Sequence, residues 1–231
     1  VTPNPKVHRL LTRLAFQNML HPFQPFIMGH RSLAPRLAAQ LGIGLVFFGE
    51  DDSEYEGAPG WQERIESITE TPHFGGVSYP DLIASYGVMA HDLDIYRPAY
   101  ALSVEGRSLG KFIRWDPQSA YYYAAEHAGF EANPERTEGT YSRYNSIDDK
   151  MVPLHYFTAF CKFGVGRASH DASQEIRNGY LTREEGVALV HKYDGELREE
   201  TIAFACEYMG ITREEFWSTV SRFRRDYPQV S

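Results

Sequence analysis

Apolar positions in "KVHRLLTRLAFQNML", residues 6 to 20, recur at helical spacing. Val7, Leu10, Leu11, Leu14 and Phe16 gather on one side, which predicts an amphipathic helix. The prolines of "VTPNP" hold the preceding segment extended, and "HPFQPF" is read as a break after the helix. A second helix is predicted from about Ser32 to Leu41, ending at Gly42. The pattern then changes. "IGLVFFGE" is short, apolar, aromatic and β-branched, which predicts a strand buried on both faces of a parallel sheet. Helix, glycine, buried strand and polar tip is α/β grammar, in which ligands gather at the carboxyl ends of strands.

Further along, residues 61 to 110 hold turns and short helices such as "YPDLIASYGV", and a second strand is predicted over "GKFIRW", Gly110 to Trp115. "SAYYYAAEHAGF" reads as a helix closed by Gly129. Its three consecutive tyrosines, Tyr121, Tyr122 and Tyr123, cannot share one face, so at least one is expected in the core. "NPERTEGTYSRYNSIDDK" reads as a polar loop and "MVPLHYFTAFCKFG" as an apolar helix. Ser169 is then expected to N-cap a helix with the stripe Ala168, Ala172 and Ile176 and a left-handed stop at Gly179. Thr182 with Glu185, and Thr212 with Glu215, have capping-box spacing, so the repeated "TREE" reads as capping chemistry rather than a duplicated domain.

The composition, 42% hydrophobic and 23% charged, belongs to a globular chain. A net charge of −8 with no basic run beyond Arg224 and Arg225 argues against nucleic acid as a partner. Cys161 and Cys206 stand apart, which argues against a disulfide framework and a cysteine-rich zinc site. Neither a signal peptide nor an apolar run of membrane-spanning length occurs, so a cytoplasmic location is expected. The start at Val1 reads as a fragment or processed form of a longer chain.

Two stretches could carry chemistry. "FFGEDDSEYEG" sets Glu50, Asp51, Asp52, Glu54 and Glu56 beyond the strand, where carboxylates suit Mg²⁺ shared with substrate phosphates; a charged surface loop has the same pattern. "KFGVGRASHDASQEIRNG" places Lys162 and Arg167 ahead of a helix N-terminus, a seat for phosphate or carboxylate, although Asp171, Glu175 and Arg177 equally suit a solvated helix face. The histidines are dispersed without metal-ligand spacing; only His170 draws notice, by its neighbours. No G-x-S-x-G elbow occurs, and Cys161 on its apolar helix reads as an inert core thiol.

In order along the chain, "VTPNPKVHRLLTRLAF", "GIGLVFFGEDDSEYEG", "FIRWDPQ", "SIDDK" and "KFGVGRASHDASQEIRNGYLTREEGVALVHKYDG" resemble the N-acetyl sugar amidotransferase family of bacterial surface-glycan pathways, over most of residues 1 to 195. The resemblance implies a partial parallel-sheet nucleotide core of the PP-loop (HUP-like) class over residues 1–57. A mainly helical substrate region follows over 58–195, with C-terminal helices over 196–231. The family's S-G-G-x-D-S phosphate loop lies upstream of the "VTPNPK" segment and does not occur in this sequence. The implied activity converts an acetamido group of a UDP-linked N-acetyl sugar to an acetamidino group, using ATP, Mg²⁺ and ammonia. The ammonia would come from a glutaminase partner similar to the histidine-biosynthesis pair, and a homo-oligomer is compatible with this. By resemblance, Gly49, Glu50 and Glu54 lie near the pyrophosphate, with Glu50 and Asp51 toward Mg²⁺. Lys162, Arg167 and Asp171 are implied catalytic residues, Arg177 a substrate contact, and Trp115 and Asp116 contacts to a sugar. A non-catalytic scaffold derived from the family, or a PP-loop sulfur transferase, are the alternatives.

Overall fold

The computed structural model describes residues 2–49, 73–97 and 104–224. Glu50, Asp51 and Glu54, with the rest of the acidic stretch, lie outside those residues. The chain forms two compact units, Val1–Met19 with Phe23–Trp115, and Leu20–Pro22 with Asp116–Ser231. The class is α/β, mostly helical, with a small parallel sheet.

In the first unit, α1 (Pro5–Met19) buries Val7, Leu11, Leu14 and Phe16, as the periodicity required. The next helix, α2 (Gln24–Gln40), starts eight residues before the predicted Ser32 and runs through Pro35. Pro25 sits in the first turn, where its missing N–H costs nothing, so "HPFQPF" contains a helix start. Pro35, which is buried, leaves one backbone carbonyl of the helix without its usual N–H donor. A hairpin of β2 (His73–Phe74) and β3 (Val77–Ser78) lies against α1: Asn18 donates to the Gly75 carbonyl at 2.8 Å, and the Gly75 N–H donates to Gln24 at 2.6 Å. At Gly75, φ is +59° and a Cβ would lie 2.7 Å from the Ala15 nitrogen, so only glycine fits. Phe74, Leu82 of α3 (Tyr79–Tyr86), Leu93 of α4 (Ala90–Leu93) and Tyr96 complete this core with the α1 stripe.

Strand β1 (Leu45–Phe48) falls where predicted and pairs in parallel with β4 (Glu105–Ser108). Two expectations are corrected. The second strand is Glu105–Ser108, not Gly110–Trp115, because the Glu105 N–H engages the Gly44 carbonyl at 2.8 Å and the ladder ends at Phe48 opposite Ser108. Among the described residues, "FIRW" pairs with no strand. Nor is β1 buried on both faces: Leu45 and Phe47 are 43% and 53% exposed, because the described sheet has only these two strands.

The second unit is helical. It comprises α5 (Pro117–Ala128), α6 (Val152–Phe163), α7 (Arg167–Asn178), α8 (Arg183–Tyr193), α9 (Glu199–Met209) and α10 (Arg213–Phe223). Gly129, Gly164 and Gly179 close α5, α6 and α7 in left-handed conformation. Both predicted capping boxes, Thr182–Glu185 and Thr212–Glu215, are formed. Helices α7 and α8 pack closely because position 186 is glycine: a Cβ there would lie 2.6 Å from Ile176 Cδ1. On α6, Phe157 meets Trp217 of α10 edge to face, so the C-terminal helices pack within this unit. No tyrosine of the triplet is in the core; Tyr121 is half-buried, and Tyr122 and Tyr123 are exposed.

Candidate functional site

The polar loop over 129–151 has neither helix nor strand, yet Thr137, Glu138, Thr140 and Ser142 within it are buried. Buried polar groups need partners, and each one here has them. Arg136 grips Glu196 with both terminal nitrogens at 2.6 Å, and the Gly139 N–H donates to the same carboxylate at 3.0 Å. The Arg136 hydrogen bonds hold the Glu196 carboxyl below its ordinary range against the opposing effect of burial. Glu138 accepts from Thr201 Oγ1 at 2.6 Å and from the Arg198 N–H. Asp171 of α7 closes the arrangement. It accepts from Thr140 Oγ1 at 2.5 Å, Asn145 Nδ2 at 3.2 Å and Arg167 Nε at 2.8 Å.

Helix α7 starts at Arg167 with Gly166 as its N-cap, so Ser169 is not the cap. The cap group comes instead from Asp194, the C-cap residue that ends α8. Its carboxylate accepts from the Gly166 N–H at 3.0 Å, the Ser169 N–H at 3.3 Å and Ser169 Oγ at 2.6 Å. A Cβ at Gly166 would lie 2.5 Å from Asp194 Oδ1. The anion seat expected at this helix N-terminus is thus filled by the chain's own carboxylate, which neutralises the dipole a phosphate would have used.

Arg167 and Asp171 are brought together as an i,i+4 pair, and Arg167 Nη1 also donates to Tyr156 Oη at 3.3 Å. Lys162 ends α6 with its ammonium 5.0 Å from the Phe163 ring, and Arg177 donates to Gln174 at 2.6 Å. His155 of α6 stacks on His21 at 5.3 Å. Burial, followed by the positive neighbours His21, Lys162, Arg167 and His170, pushes its imidazole down to about 3. Those groups therefore share one neighbourhood, and His155 stays neutral within it. Gly49 is exposed just past β1, Trp115 is half-buried at the end of the first unit's range, and Asp116 opens the second as the N-cap of α5.

A second cluster escaped the sequence reading. Tyr141 Oη donates to Glu175 Oε2 at 3.1 Å. Tyr144 lies flat on Tyr121, with centroids 4.4 Å apart and planes within 6°. Tyr180 Oη donates to Asp116 Oδ2 at 2.6 Å, alongside the Ser119 N–H and hydroxyl. Burial raises the Glu175 carboxyl; the Tyr141 hydrogen bond opposes this, and the negative charges of Asp171 and Asp116 reinforce it. Burial, then the Glu175 and Asp171 charges, push the Tyr141 and Tyr144 hydroxyls well above their ordinary value, so both stay protonated donors. For Asp116 burial works upward, but the Tyr180 and Ser119 hydrogen bonds together hold the carboxyl low. Only Glu175 had a signal in the sequence, as an acid inside the cation-rich stretch; its tyrosine partners lie more than thirty positions upstream.

Residues 138–229 match the family model described as LPS biosynthesis protein WbpG-like, C-terminal domain. This stretch belongs to the WbpG-like family. The match ties the second unit to LPS biosynthesis, and its bounds take in Glu138, Tyr141, Lys162, Arg167, Asp171, Glu175 and Asp194. It runs past residue 195 and leaves out Arg136, Asp116 and the whole first unit. No curated protein matches the chain. Among the described residues, no group of three or more His, Cys, Asp and Glu side chains could hold a metal ion, and no helix is long and apolar enough to cross a membrane. Burial lifts the Cys161 thiol to about 11 and raises that of Cys206, so neither is poised as a thiolate.

Proposed function

We propose that the chain is the WbpG-like portion of an ATP-dependent amidotransferase that converts an acetamido group on a UDP-linked N-acetyl sugar to an acetamidino group. The match of residues 138–229 to an LPS-biosynthesis C-terminal domain, with Arg167 held in place within that stretch, carries the reading. In the proposed reaction the acetamido oxygen attacks the α-phosphorus of ATP, pyrophosphate leaves, and the amide proton is lost to give an O-adenylyl imidate. Ammonia, supplied by a glutaminase partner, adds at the imidate carbon. The bond from that carbon to oxygen then breaks, AMP departs, and the amidine remains protonated as an amidinium.

Arg167 is suited to the negative charge that grows on the phosphoryl group and the departing AMP. Asp171 and Tyr156 fix one edge of its guanidinium, and a preorganised cation is the largest lever for such charge. With three donors already on its carboxylate, Asp171 acts as the positioning residue for Arg167 and the 140s loop. Lys162 adds positive potential from the end of α6. The high thiols of Cys161 and Cys206 speak against sulfur transfer, which needs a thiolate carrier.

The test is pyrophosphate release by the full-length protein with ATP, Mg²⁺, ammonia and a panel of UDP-linked acetamido sugars. Release that requires the sugar supports the reading, and no release across the panel contradicts it. Arg167→Lys keeps the charge but loses the fork, so turnover should fall by about a hundredfold with folding retained.

A further inference from the structure

Glu175 differs from the other carboxylates around it. Asp171 has an arginine and two further donors, Glu196 has the Arg136 fork, and Asp194 has the α7 N-terminus. Glu175 is half-buried with one hydrogen bond, from the neutral hydroxyl of Tyr141. The charged groups that bear on it, Asp171 and Asp116, are both negative. Removing a carboxylate from water beside like charges costs free energy that the folded chain does not recover. A ligand with positive charge would recover it. Its neighbours are aromatic: Tyr141 donates to the carboxylate, and Tyr144, whose hydroxyl burial and then the Glu175 charge push upward, has one face stacked on Tyr121. Neutral tyrosine rings beside a carboxylate favour a flat cation that can donate N–H bonds to the acid and lie against a ring.

We propose that Glu175 seats the amidinium group of the ligand, with its carboxylate as the counter-charge and the rings of Tyr141 and Tyr144 beside it. The inference rests on the amidotransferase reading, in which a neutral acetamide becomes a cationic amidinium. A seat that favours the cation binds the late, charge-bearing states more tightly than the neutral starting group, the direction in which binding assists a reaction. It adds Glu175, Tyr141 and Tyr144 to the site and gives α7 two functional positions about two turns apart along one face, Arg167 toward growing negative charge and Glu175 toward growing positive charge.

Titration calorimetry of the full chain with acetamidinium, neutral acetamide and ammonium chloride, at matched ionic strength, tests this without turnover. Acetamidinium should bind saturably and at least about tenfold more tightly than acetamide, as a charge-assisted pair predicts. It should also bind more tightly than ammonium, which cannot lie flat against a ring. Glu175→Gln, isosteric and able to keep the Tyr141 hydrogen bond, should erase the preference for the cation. Tyr144→Leu, which leaves the carboxylate in place, should weaken acetamidinium by about fivefold through the lost ring face. Equal binding of acetamide and acetamidinium, or an unchanged preference in a Glu175→Gln protein with a native circular-dichroism spectrum, would overturn the proposal. So would undiminished binding in Tyr144→Leu. Failure of cation binding with sugar-dependent pyrophosphate release intact overturns the seat alone. Selective binding with no pyrophosphate release on any acetamido sugar supports the seat and overturns the reaction.

Discussion

The first unit leaves apolar side chains in the open, whereas the second buries charged ones. Leu45, Phe47, Phe112 and Ile113 are exposed around a two-stranded parallel ladder, while Glu138 is buried in a loop with no regular structure and Asp171 is buried on α7. Partners explain the difference. A parallel strand loses its apolar faces to water unless other layers cover them, and the described sheet has two strands. A carboxylate can be buried when donors surround it, and Glu138 and Asp171 each have at least two. Within the second unit this makes Glu175 stand out. It is half-buried, less enclosed than Asp171 or Glu138, and has a single donor, the neutral Tyr141 hydroxyl.

The comparison breaks most visibly at Asp171. Asp171→Ala strands Arg167, Thr140 and Asn145 together and should destabilise the protein by about 3–5 kcal/mol, lowering the melting temperature by about 10 °C. A loss below about 1 kcal/mol would mean that the polar pins do not hold the loop. His155 comes next. Its folded value near 3 lies below the ordinary 6.5, so between those values the unfolded chain takes up a proton that the folded chain refuses. Its contribution is therefore complete above about pH 6.5 and is lost as pH falls toward 3, reaching about 2 kcal/mol by pH 5. Melting curves of wild type and His155→Gln across that window should converge toward low pH. Glu175→Gln tests the opposite sign. Its raised carboxyl disfavours the folded state above its unfolded value, so the substitution should leave the melting temperature at neutral pH equal or about 1–3 °C higher. A marked fall would make Glu175 a structural residue. The smallest effect belongs to the first unit, where Phe47→Thr should change stability by no more than about 0.5 kcal/mol, read by chemical denaturation.

Much of the local structure was legible. The α1 stripe, the glycine stops after α5 and α7 and both capping boxes depend on residues within a few positions of one another. Errors came where distant residues decide. Ser169 has the composition of a cap, but Asp194 reaches Gly166 from 28 positions away and takes the role. "FIRW" has better strand composition than "EGRS", yet register with β1 selects the latter. "HPFQPF" looked like a break because two prolines lie close together, but Pro25 occupies a helical first turn. Of the site, the stretch from Lys162 to Gly179 was visible as a cation-rich helix entry. Its anion seat was not visible as filled by Asp194, nor was the Tyr141–Glu175 contact, since neither leaves a periodic trace.

If the chain serves the proposed conversion of an acetamido to an acetamidino group, the transferred nitrogen reports on it directly. The full-length protein would be incubated with ATP, Mg²⁺, isotopically labelled ammonia and UDP-linked acetamido sugars, and the sugars analysed by mass spectrometry and NMR. The account predicts labelled nitrogen bonded to the former acetamido carbon, with AMP and pyrophosphate formed in step with it. Sugars that remain unlabelled across the panel, or pyrophosphate release that proceeds equally without a sugar, would contradict it.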